Sequence, residues 1–73
     1  MTSEVVKSLI SDDGQRRLQI VRKGDTYTAI DDVRTADLAG DPCWTPAWPS
    51  AVAGLITDSA ELAESEARIR LNW

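Results

Sequence analysis

Seventy-three residues, 42% apolar and 27% charged, suffice for one small folded domain and leave no room for a second. The single cysteine, Cys43, excludes a disulfide within the chain, and the absence of histidine leaves a structural zinc site short of ligands. A core this small rarely supplies more than about 3–5 kcal/mol without a staple, so oligomerisation is the common staple that remains.

Without histidine the commonest general base is missing, and so are the Ser-His and Cys-His nucleophile pairs. The expectation is a non-enzyme that needs no cofactor. No apolar run approaches the ~18 residues of a membrane span. Met1-Thr2-Ser3-Glu4 lacks the basic-then-apolar order of a signal peptide, so the expected compartment is the cytoplasm, with a reduced thiol. The net charge of −4 is unevenly spread. Through residue 36, six cations balance six carboxylates; beyond it, Arg68 and Arg70 face six carboxylates. This acidity argues against nucleic acid and anionic lipid as partners and leaves a second copy or another protein.

Val5–Ile10 is rich in β-branched residues and predicts a first strand. Asp13-Gly14 between two apolar runs signals a hairpin, because Gly accepts the positive φ of a type I′ turn. Arg16–Lys23 alternates: Leu18 and Ile20 on one face, Arg17, Gln19 and Val21 on the other, which predicts a strand with one wet face. Lys23-Gly24-Asp25 is a second turn. Thr26–Ile30 predicts a third strand, extending as far as Val33 or Arg34. The segment Asp37–Pro42 is turn chemistry. Trp44–Trp48 is either a fourth strand at an edge, since Pro46 and Pro49 cannot donate to a ladder, or irregular. Ser50–Gly54 predicts a bend or a helical turn, with Leu55-Ile56 anchoring the approach to a helix.

That helix is strongly signalled. Asp58 and Glu61 have capping-box spacing, with Thr57 or Ser59 as alternative caps. Glu64–Arg68 and Glu66–Arg70 are i,i+4 pairs in the favourable orientation. Ala60, Ala63, Ala67 and Leu71 form one stripe, and Leu62, Ile69 and Trp73 another roughly opposite. A surface helix usually has a single apolar stripe. Either the tail folds back onto the sheet edge, or the second stripe meets a partner. Leu62, Ile69, Trp73 and Trp48 are therefore the candidate interface residues, since aromatic side chains are enriched at interfaces.

Other groups read more plainly as structure. Cys43 has no neighbouring cation to activate it and reads as a small hydrophobe. Asp12-Asp13 reads as turn chemistry and Asp31-Asp32 as a solvated strand end, rather than as cation sites. Arg16-Arg17 and Arg22-Lys23 read as a solvated face. Trp44 and Trp48 are expected to supply core area in a chain without Phe.

Ser11-Asp12-Asp13-Gly14, Gly24-Asp25-Thr26-Tyr27, Cys43-Trp44-Thr45-Pro46 and the Thr57–Arg68 segment together resemble small uncharacterised bacterial proteins of sheet-then-helix layout. The resemblance implies a fold and no site. The expected fold is α+β: an antiparallel meander of three or four strands followed by one C-terminal helix packed on the sheet. The expected core is Leu18, Ile20, Ala29 or Ile30, Trp44, Leu55, Ala60, Ala63, Ala67 and Leu71, with Leu9 or Ile10. The expected function is a non-catalytic interaction module that self-associates through the helix; the alternative is an acidic regulator that masks a basic protein.

Overall fold

The computed structural model describes residues 3–73. Four strands run in chain order, β1 (Ser3–Ile10), β2 (Arg16–Lys23), β3 (Thr26–Ala36) and β4 (Pro42–Pro46), and pair as an antiparallel meander in the order β1-β2-β3-β4. One helix, α1 (Ala60–Leu71), follows and packs across β2 and β3. The fold is α+β, and the molecule is a slab of 39 × 29 × 19 Å whose thin direction holds one sheet and one helix.

Turn chemistry sets the meander. Gly24 and Asp25 join β2 to β3, with Lys23 opposite Thr26. Gly24 has φ +62° while Asp25 stays at negative φ, the pattern of a type II′ turn that matches strand twist. The first hairpin is longer than its Asp-Gly signal suggests. Asp12–Gln15 form a four-residue loop in which only Gly14 has positive φ, so it is not a type I′ turn. The Asp13 carboxylate closes it, accepting from Ser11 Oγ at 2.6 Å and the Gln15 N–H at 3.0 Å. The Ser11 hydroxyl first, then the Gln15 amide, hold that carboxyl below its usual range.

Alternation puts Leu18 and Ile20 of β2 and Ala29 of β3 on the helix side, with Leu9 rather than Ile10 packed beside them. Ala63, Ala67 and Leu71 are buried against them, and the small alanines let the helix approach closely. Val52 and Leu55 complete the core from the β4–α1 connection; Val52 is fully buried although no periodicity marks it. Ile56, by contrast, is exposed.

That connection is held by Asp31. Its backbone carbonyl accepts from the Ala47 N–H at 3.0 Å, and its Oδ1 accepts from the Ser50 hydroxyl. Ser50 Oγ in turn accepts from the Val52 N–H at 3.3 Å. Asp31 is 4% exposed and Asp32 5%, so the pair is buried and not a solvated strand end. Asp31 Oδ2 has no hydrogen-bond partner among the described residues. Farther along, Thr57 exchanges two backbone bonds with Tyr27, at 2.9 and 2.8 Å, just before the helix.

Ser59, not Asp58, is the N-cap: its Oγ accepts from the Leu62 N–H at 3.1 Å. Glu64 pairs with Arg68 at 3.3 Å, whereas Glu66 and Arg70 form no ion pair among the described residues. Asn72 takes the left-handed conformation at the C-terminus and turns the chain, so that Trp73 folds back against the core.

Candidate interaction surface

The helix covers one face of the sheet. The other face carries the outward positions of all four strands and has no second layer among the described residues. Val5 and Ile10 of β1, Gln19 and Val21 of β2, Thr28 and Ile30 of β3, and Trp44 of β4 lie on it. Val5, Ile10 and Ile30 are exposed, while Val21 is 3% exposed. Exposed apolar groups that share one face differ from the scattered ones every surface carries.

One corner is ordered by charge. Arg17 stands opposite Asp32, and its Nε and Nη2 donate to Asp32 Oδ2 at 3.0 and 2.9 Å. The indole of Trp44, reaching across β3, lies under the guanidinium at 4.8 Å from carbon to ring centroid. Trp44 is half-buried here, on the face opposite the core it was expected to fill. The close alanine-lined contact between α1 and the sheet leaves the inner layer to Leu18, Ile20, Val52 and Leu55.

Lys23 and Arg34 also project from this face, by the same alternation, and neither makes an ion pair among the described residues. The open face thus holds three cations and one carboxylate already taken by Arg17, on a chain of net charge −4. The acidic excess lies elsewhere, at Asp12, Asp13, Asp25, Asp37 and Asp41 in the turns and at Asp58, Glu61 and Glu66 around the helix.

The residues expected at an interface are spread over three places. Leu62 and Ile69 are exposed on the outward side of α1, Ile69 at 71%, with Ser65 and Glu66 between them. Trp48 stands in solvent beyond β4 at 94% exposure, so it supplies no core. Trp73 is half-buried and lines an open cleft of about 400 Å³ between the end of β1 and the end of α1, with Leu9, Ile10, Asp12 and Arg68.

Cys43 is half-buried on β4, with Sγ 3.2 Å from Thr35 Oγ1, which also bonds Thr45 Oγ1 at 2.7 Å. Its polar neighbour is a hydroxyl rather than a base. Among the described residues no cluster of three or more His, Cys, Asp or Glu side chains is placed to hold a metal ion. No helix is long and apolar enough to cross a membrane.

Sequence reasoning missed the Arg17–Trp44 pair. The signal available was the alternation that put Arg17 on the outward face of β2; the register of β4 was not readable. No protein-family model, no curated protein and no solved structure matches the chain.

Proposed function

We propose that the chain is a non-catalytic interaction module whose open sheet face takes an acidic, apolar-bearing segment of another protein. The observation that supports this is the composition of that face: exposed Val5, Ile10 and Ile30 beside cationic Arg17, Lys23 and Arg34, on an otherwise acidic chain. Trp and Arg are among the residue types that most often anchor interfaces, and Arg17 is already held over Trp44 and by Asp32. Anchors fixed before binding lose less rotamer entropy on contact. Opposite charge favours a carboxylate-bearing partner and disfavours a basic one.

The test is a titration of the isotope-labelled protein with a short alternating Glu-Leu peptide, and separately with its Lys-Leu counterpart, followed by NMR. The acidic peptide should shift the signals of Val21, Ile30 and the Trp44 indole, and Arg17→Ala should weaken its binding. Shifts confined to Leu62 and Ile69 would move the contact to the helix. Binding of the Lys-Leu peptide around Glu61 and Glu66 would favour instead an acidic regulator of a basic protein, a reading motivated by the exposed carboxylates of α1.

A further inference from the structure

The two edges of the sheet differ. At β4 the strand is five residues long and begins and ends in proline; beyond it the Asp31 carbonyl takes the Ala47 N–H, and Tyr27 near the start of β3 pairs with Thr57. Proline and short length are the usual ways to close an edge. At β1 the edge is eight residues long, contains no proline, and has no strand beside it among the described residues. All of β1 except Leu9 is exposed.

The sequence of that edge complements itself. In an antiparallel pairing of two copies that sets Val5 against Val6, Ser3 meets Ser8 and Glu4 meets Lys7. A regular strand forbids this register, because positions 4 and 7 fall on opposite faces and paired residues must share one. Here the bulge between Val5 and Lys7 removes the conflict. Glu4 lies opposite Arg22, and Lys7 lies opposite Ile20, so both point to the helix side. An extra residue that would ordinarily disturb an edge brings the two charges onto one face.

We infer that two copies of this chain join through their β1 strands, antiparallel about Val5-Val6, to form a continuous eight-stranded sheet. Each Glu4 then lies beside the second copy's Lys7. Within one copy, Glu4 already meets Arg22 at 3.1 Å and Lys7 meets Glu64 at 2.6 Å. The seam therefore extends each pair into a row of alternating charge: Arg22, Glu4, then the second copy's Lys7 and Glu64. Like charges directly opposite on neighbouring strands are destabilising, whereas opposite charges are favourable. The contact is small and belongs with weak, transient interfaces of less than ~1,200 Å². It joins the open faces of the two copies into one and does not depend on what those faces bind.

Sedimentation equilibrium over a concentration series up to the millimolar range tests the inference. The wild-type chain should dimerise. Glu4→Lys and Lys7→Glu alone should each weaken the dimer on the order of tenfold, because two cross-strand pairs become repulsive. An equimolar mixture of the two variants should associate as a heterodimer, and the double variant E4K/K7E should recover the homodimer. In that double variant both pairs within the copy are reversed only on one side, so recovery reports the contact between copies. The exposed positions leave the fold intact, which circular dichroism checks. A wild-type chain that stays monomeric throughout overturns the inference. So does a dimer that neither single variant weakens, or one that Ile69→Glu abolishes while both single variants leave it unchanged.

Discussion

Arg17 and Asp32 face each other across β2 and β3, and two guanidinium nitrogens converge on a single carboxylate oxygen. The arginine side chain is a quarter exposed and the aspartate nearly enclosed, so loss of the carboxylate leaves a guanidinium that water reaches only in part. Asp32→Ala should cost about 1–3 kcal/mol in urea denaturation, below the loss expected for a fully buried pair. A double-mutant cycle with Arg17→Met should show positive coupling; independent effects that simply add would mean the pair contributes nothing as a pair.

Val52 ties the β4–α1 connection into the core. Val52→Ala removes buried methyl groups and leaves a cavity in the core, and should destabilise by about 2 kcal/mol. Ser50→Ala should produce a related loss of about 1–3 kcal/mol through a different route: it strips the Asp31 carboxylate of its hydroxyl donor in a buried setting. Thermal melts of both variants check this, and a Ser50→Ala protein as stable as the parent would show that water satisfies Asp31.

The N-cap is a third lever. Ser59→Ala should cost about 1 kcal/mol, because the Leu62 N–H loses its acceptor, whereas Asp58→Ala should be close to neutral. Equal losses at the two positions would return the cap to Asp58.

The Lys7 ammonium, and after it the Arg68 guanidinium, hold the Glu64 carboxyl below its ordinary value. A carboxyl whose pKa is lower in the folded than in the unfolded chain stabilises the fold above the unfolded value. That contribution disappears as pH falls through the folded value. The melting temperature should therefore fall on acidification through and below the carboxylate range, and Lys7→Met should make that fall shallower. An unchanged acid slope in Lys7→Met would show that the pair, half-exposed at the lysine end, is screened by solvent.

Periodicity and turn chemistry carry the meander, the inward face of β2 and the alanine stripe of α1 in the sequence itself, since each depends on residues a few positions apart. Three features do not. Val52 sits between two alanines in a segment without period, and its burial follows from Asp31 and Ser50, nineteen positions apart, being brought together. Trp44 looks like core material in a chain without Phe, yet its side depends on the register of β4, which begins at Pro42 and sets Trp44 opposite Arg34. Asp31 and Asp32 look solvated, but alternation sends one to each face, where Ser50 and Arg17 enclose them. The open face was legible only in part: the outward set of β2 was readable, and its neighbours on β1, β3 and β4 required the pairing.

The two-residue link at Gly24-Asp25 bears on the order in which the molecule assembles. Closing so short a loop costs little chain entropy, and hairpins form in ~1–10 μs. This hairpin carries Leu18, Ile20 and Ala29, the strip on which α1 later docks, while the helix arrives from the far end of the chain. Mutational φ-values should accordingly be high at Ile20 and Ala29 and low at Ala63 and Ala67. Destabilising the helix would then mainly speed unfolding, and disturbing Gly24 would mainly slow folding.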